Sequence, residues 1–101
     1  MLKQSKWIGD NVKPIPVLKD GNGKLIKDYK HSDWIRKLLE EFGEVIEATL
    51  VEDDKQIAKE LQDLKHVCHS MQHWLGYSDK DIDEICVDTN EVNRSRGYFE
   101  G

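Results

Sequence analysis

Apolar residues recur every three or four positions from residue 32 to the end of the chain, the spacing of amphipathic α-helices. The first such stretch has Ser32 or Asp33 as its N-cap and extends to about Val51. Its apolar positions are Ile35, Leu38, Leu39, Phe42, Val45, Ile46 and Ala48. A second stretch, roughly 54–75, carries Ile57, Leu61, Leu64, Cys68, Met71 and Leu75 and stops before Gly76. We therefore predict two helices joined by the short acidic segment 52–54.

A third helix is expected from Ser78, with Asp81 placed for a capping box, to about Gly97. The first thirty residues lack a helical period. Pro14 and Pro16 favour extended chain there, and the sequence from Asp20 to Gly23 is typical of a turn. We predict an all-α fold in which a helical hairpin and a third helix complete a bundle by oligomerisation. The domain boundaries would be an extended or hairpin-like N-terminal arm at 1–31 and a helical domain at 32–101.

Composition narrows the classes of function. A chain of 101 residues buries only about two-thirds of its unfolded surface, which favours a homodimer or homotetramer. It has no apolar run that would span a membrane and no signal peptide pattern. With only two cysteines, Cys68 and Cys86, reduced thiols in a cytoplasmic protein are the simplest interpretation, and both are expected to be small core residues.

Residues 1–32 hold seven lysines and three aspartates, whereas the remainder holds eight basic and seventeen acidic residues. An acidic body argues against nucleic acid as a partner.

Four carboxylates stand out on the two central helices. Glu41 and Glu44 are three residues apart and share one helix face, and Glu60 and Asp63 repeat that spacing. An antiparallel hairpin would bring the pairs together, where each close pair repels by roughly 4 kcal/mol at an effective dielectric near 20. Either some of these carboxylates are protonated or a cation neutralises them. All-oxygen ligands suit Mg²⁺, with Mn²⁺ possible.

Other readings compete with a metal site. Surface helices of acidic proteins often carry such pairs by chance. His66, His69 and His73 share a helix face, but that face lies roughly opposite the apolar positions and is more typical of a partly exposed stripe or a subunit contact. A di-iron site would need a second carboxylate-x-x-His motif, which the sequence lacks. Trp34 and Trp74 lie near helix ends and Trp7 lies in the arm. Tryptophans of this kind are more often core residues than platforms on which a nucleobase stacks.

The ordered motifs resemble a known family. Glu40-Glu41-Phe42-Gly43-Glu44, followed by Glu60-Leu61-Gln62-Asp63 and a C-terminal NRSRGYFEG, is similar to the MazG-like nucleotide pyrophosphohydrolases. These all-α enzymes are related to the phosphoribosyl-ATP pyrophosphohydrolases. The resemblance covers roughly residues 34–101. It departs from the family at one point. Many members have a lysine shortly before the terminal arginine, and this chain has none there.

The resemblance implies an activity and a set of site residues. Glu41, Glu44, Glu60 and Asp63 would bind Mg²⁺, and Glu40 would support them or orient the attacking water. Substrate phosphates would be contacted by Asn93 and Arg96. The reaction would be hydrolysis of nucleoside triphosphates, NTPs or dNTPs, to monophosphate and pyrophosphate, serving to clear unwanted nucleotides. The alternative from another class is a non-catalytic helical module for oligomerisation or interaction, with an acidic binding face.

Overall fold

The computed structural model describes residues 16–99 and is all-α, as predicted. It contains α1 (His31–Leu50), α2 (Asp54–Trp74) and α3 (Asp79–Ser95), preceded by a 3₁₀ turn at Ile26–Asp28. The only β pairing within residues 16–99 is an isolated bridge between Lys19 and Leu25. None of the helices in this part of the chain is long and apolar enough to span a bilayer. Residues 1–15 of the predicted arm, with Trp7 and Pro14, lie outside the described residues.

The described chain divides after Met71 into two compact units, which we treat separately. The first contains the segment 16–30, α1 and most of α2. Residues 51–53 join the two helices, and Glu52 in this connection has a left-handed φ of 55°. Side chains show that the helices are antiparallel, because Glu41 approaches Asp63 whereas Glu44, nearer the connection, approaches Glu60. This is the antiparallel hairpin that was expected to bring the two carboxylate pairs together.

The segment before α1 packs against the beginning of that helix. Asp20 closes a turn by accepting hydrogen bonds from the backbone N–H groups of Asn22 and Lys24, and the Tyr29 hydroxyl donates to its other oxygen at 2.7 Å. The Tyr29 ring meets the Trp34 ring edge-on, with centroids 5.0 Å apart. Trp34 is only 1% exposed. This tryptophan is therefore a core residue, as expected, and its ring anchors the turn to α1.

The start of α1 differs from the prediction. Lys30, not Ser32 or Asp33, is the N-cap residue. Asp33 lies in the first helical turn, where its carboxylate accepts a hydrogen bond from the Lys30 backbone N–H at 2.8 Å. The same carboxylate pairs with Lys24 at 3.1 Å and with Arg36 at 2.7 Å. These bonds, led by that of the Lys30 N–H, hold the Asp33 pKa below its usual value. The position suits Asp33 because a first-turn carboxylate also interacts well with the helix dipole.

The apolar residues of α1 divide between two faces. Leu38, Val45 and Ala48 are half-buried or buried. The remainder form a second stripe in which every side chain is at least half exposed, which we term the α1 apolar face: Ile35, Leu39, Phe42, Ile46 and Leu50. The predicted stripe of the second helix is likewise incompletely covered, since Leu61 on α2 is exposed, as is Leu75 just after the helix ends. Cys68 lies on this stripe and is exposed, as is Cys86, so the prediction that both are core residues is wrong.

The second unit comprises the end of α2, the whole of α3 and the segment that follows α3 up to residue 99. Ser78 is the N-cap of α3 and forms the predicted capping box with Asp81. The helix ends at Ser95, and Gly97 then adopts a left-handed φ of 78°. All residues of α3 are described, and none of them is buried. This helix has its own well-formed ends but contributes no buried side chain.

Candidate metal centre

Carboxylates of α1 and α2 converge on the facing sides of the hairpin. One oxygen from each of Glu41, Glu60 and Asp63 can be chosen so that all three atoms lie within 4.8 Å of one another. Neighbouring oxygens bound to one octahedral Mg²⁺ at about 2.1 Å are roughly 3 Å apart. A small adjustment of flexible side chains would therefore bring these three groups to a common ion.

Burial distinguishes this cluster from an ordinary acidic surface. Glu41 is 7% and Glu60 8% exposed, although both are charged residues. One oxygen of each, Glu41 Oε2 and Glu60 Oε2, is inaccessible to solvent and has no hydrogen-bond partner among the described residues. Burying an ionised oxygen without a partner is strongly unfavourable. Two such oxygens in one cluster could be satisfied by a bound cation or by a proton.

Three polar side chains support the cluster. Lys37 pairs with Glu41 at 3.3 Å, and Lys59 lies 3.9 Å from Glu60 and 3.7 Å from Asp63. The Gln56 amide donates to Glu60 Oε1 at 2.6 Å. With Glu44, four carboxylates and two ammonium groups leave two negative charges when all are ionised. A single divalent cation would neutralise them, and the donors are the oxygens that Mg²⁺ and Mn²⁺ prefer.

Glu44 is a fourth carboxylate, on the solvent side of the cluster. The adjacent Glu60 carboxylate, which would accept a hydrogen bond from a protonated Glu44, raises the pKa of the Glu44 carboxyl, and desolvation and the neighbouring charge of Glu41 raise it further. In the absence of a cation, a proton shared between Glu44 and Glu60 would therefore reduce the repulsion. Metal and proton compete for the same oxygens.

Three further residues were predicted for the site. Glu40 is exposed and lines a cavity beside the cluster rather than the cluster itself. Asn93 and Arg96 belong to the second unit, at the end of α3: the Asn93 carbonyl accepts from the Tyr98 N–H at 3.0 Å, and Arg96 is the C-cap. Their contact with substrate phosphates stays a prediction. Of the histidine stripe, His69 is buried rather than partly exposed.

The sequence interpretation overlooked the partners of the carboxylates. Lys37 precedes Glu41 by four residues, Gln56 precedes Glu60 by four, and Lys59 precedes Asp63 by four. Side chains at this spacing meet on a helix. The signal was therefore available in the sequence, although such pairs are common and do not by themselves mark a site.

The raised pKa of Glu44 predicts how metal-free stability depends on pH. Because the folded pKa lies above the usual glutamate value of 4.5, the stability that this group contributes is complete below pH 4.5 and is lost as pH rises through the raised pKa. In thermal melts with a chelator, we expect wild type to fall below the Glu44→Gln variant as pH rises to 7.5. The two should converge near pH 4.5. A constant difference across this range would contradict the shared proton.

Comparisons with protein-family models, with curated proteins and with solved structures found no match to the chain.

Proposed function

We propose that the protein is a Mg²⁺-dependent nucleoside triphosphate pyrophosphohydrolase, with Mn²⁺ as a possible substitute. The observation that carries the proposal is the pair of buried, unpartnered oxygens of Glu41 and Glu60 inside a four-carboxylate group. A cation bound there would satisfy these two oxygens. A metal held between helices and reachable from solvent through Glu44 and Asp63 is more typical of a reactive site than of a structural one, which would be closed.

The order of the motifs supports the choice of reaction. By the resemblance of the motifs, Glu41, Glu44, Glu60 and Asp63 would correspond to the metal ligands of the MazG-like enzymes. The same four side chains come together in the hairpin. The site accounts for an otherwise puzzling combination, an acidic protein with a polyanionic substrate. Clearing of unwanted nucleotides in the cytoplasm is the role that this resemblance suggests.

The chain's own residues have distinct tasks in this reaction. Glu41, Glu60 and Asp63 would hold the ion, and Lys37, Lys59 and Gln56 keep those carboxylates in place. Mg²⁺ would supply neutralisation of the triphosphate and activation of a water. Attack of a water on the α-phosphorus breaks the bond to the bridging oxygen, giving nucleoside monophosphate and pyrophosphate with release of a proton. Glu44 and Glu40 stand on the solvent side, where a carboxylate can orient the water and accept that proton.

The proposal is tested by measuring pyrophosphate release from a panel of NTPs and dNTPs with Mg²⁺, with Mn²⁺ and with a chelator. Equimolar pyrophosphate and monophosphate, formed only with metal, is the expected result. Release of inorganic phosphate from the γ-position, or no turnover of any nucleotide, would contradict it.

We also propose that the enzyme is a homodimer or homotetramer. Five large apolar side chains of the α1 apolar face are each at least half exposed, at spacings of four, three, four and four residues. This spacing suits packing against another helix. A second copy offers the same face by symmetry, and covering it would extend the core that one chain leaves incomplete.

The exposed stripe also favours the runner-up function, a non-catalytic helical module in which the acidic group binds a basic partner. Such a module would need the apolar face but no single carboxylate. Retention of partner binding after each carboxylate is neutralised in turn would support it over the enzyme.

A further inference from the structure

A cavity of about 330 Å³ lies between the Asp20 turn and α1, beside the carboxylates. The residues lining it include Asp20, Tyr29, Arg36, Lys37, Glu40 and Glu44. We propose that this cavity binds the terminal phosphates of the substrate, with Arg36 and Lys37 as their ligands. The inference rests on the proposed function for the choice of a triphosphate, but it assigns phosphate binding to residues other than Asn93 and Arg96.

Two adjacent cations give the cavity its chemistry. The guanidinium of Arg36 has five N–H donors, and Asp33 accepts from one of its nitrogens at 2.7 Å. This bond orients Arg36, whose side chain is 61% exposed and so accessible to a ligand. Asp20 also lines the cavity, but its oxygens accept hydrogen bonds from Tyr29, Asn22 and Lys24. With Glu40 and Glu44 the wall has three carboxylates against two cations. The hydrogen bonds to Asp20 reduce its repulsion of an anion.

Lys37 connects the cavity to the metal centre. Its ammonium nitrogen lies 3.3 Å from Glu41 Oε1, and the same side chain lines the cavity. A divalent cation on Glu41 would weaken that ion pair, because the carboxylate charge would already be neutralised. The ammonium could then turn to a phosphate while its stem stays in place. Ion binding would thus prepare the phosphate site.

A second cavity of similar size allows a comparison. It has about 320 Å³ and also reaches Glu44, but on the side of the helix connection. The described residues lining it are Glu44, Glu47, Ala48, Val51, Gln56 and Glu60. Each cavity has three carboxylates in its wall, but the first also has two cations, whereas the described lining of the second has none. Phosphate would be repelled more strongly from the second. The electrostatics therefore favour the Arg36 and Lys37 side for the polyphosphate.

The test uses inorganic tripolyphosphate as the probe, with binding to the full chain measured by calorimetry in saturating Mn²⁺. Lys37→Gln and Arg36→Gln should each weaken binding about tenfold or more, since hydrogen bonds to charged groups are among the stronger ones. Lys37→Arg, which keeps the charge, should bind within about threefold of wild type. Electron paramagnetic resonance should show Mn²⁺ binding to Lys37→Gln as tight as to wild type, or tighter.

Lys65→Gln is the matched control. Lys65 is exposed on α2 and does not line the cavity. The proposal is overturned if Lys65→Gln or Arg96→Gln weakens tripolyphosphate binding as much as Lys37→Gln does, or if Lys37→Gln and Arg36→Gln bind like wild type. Thermal melts of every variant identify any loss that is due to unfolding, and Lys37→Arg then decides the question for Lys37.

The same measurements separate this proposal from the hydrolase itself. If no nucleotide is turned over but metal-dependent tripolyphosphate binding is lost in Lys37→Gln and Arg36→Gln, the cavity assignment stands and the hydrolase fails. If nucleotides are hydrolysed with an unchanged KM in both variants, the hydrolase stands and the cavity assignment is wrong.

Discussion

Replacement of Glu41 by Gln is expected to abolish metal-dependent pyrophosphate release while raising the Tm of the metal-free protein. The amide has lost a negative ligand for the ion, and the loss of such an electrostatic group typically lowers kcat by about 10²–10³-fold. Without metal, the substitution removes repulsion from Glu44, Glu60 and Asp63. A gain of about 1 kcal/mol would raise Tm by roughly 4–8 °C for a domain of this size. Activity and stability should therefore change in opposite directions.

The control for this experiment is Glu47→Gln. Glu47 is exposed on the same helix and undergoes the same chemical change, but it is not among the clustered carboxylates. It should leave both turnover and metal-free Tm near wild type. Glu60→Gln provides a second variant, because Glu60 has the other buried, unpartnered oxygen. If Glu41→Gln and Glu60→Gln both retain activity, the cluster is not the reactive site.

The second large effect is expected from a charge on the α1 apolar face. Leu39 is 66% exposed in the single chain and lies within the stripe. If a second copy covers it, Leu39→Glu would place an unpaired carboxylate in an apolar interface, where an uncompensated buried charge typically costs about 3–5 kcal/mol. We expect the dimer dissociation constant to rise by at least about 100-fold. Sedimentation velocity over a concentration series would measure this directly.

Leu18→Glu is a matched control, because Leu18 is 79% exposed and lies in the turn segment, away from the face. It should leave the association state unchanged. Wild type that sediments as a monomer at high concentration, or a Leu39→Glu variant that associates like wild type, would contradict the proposed interface.

The sequence predicted the helices well because their ends carry local signals. Ser78 and Asp81 form the expected capping box, and the three helices begin and end within a few residues of the predicted positions. The convergence of Glu41, Glu60 and Asp63 also followed from spacing. A hairpin with a short connection leaves few ways to arrange two i, i+3 pairs, so local geometry was sufficient.

Burial could not be predicted in the same way. Periodicity shows that α1 has apolar residues on a wide arc, but not which part of the arc faces α2. In the structure Glu41 is buried whereas its neighbour Phe42 is half exposed. Apolar burial alone would favour the opposite rotation of the helix. The cavity was also invisible in the sequence, since it depends on how the Asp20 turn packs against α1.

The register of the hairpin has a consequence for insertions and deletions. Glu44 and Glu60 face each other because residues 45–59 contain the end of α1, a tight connection and the first residues of α2. One residue added within α2 ahead of Glu60 would turn everything after it by about 100°. Glu60 and Asp63 would leave the face of α1 together, although no ligand had been substituted. The length of this stretch is therefore as much a part of the metal centre as the carboxylates, and chain length there should tolerate less change than side-chain identity.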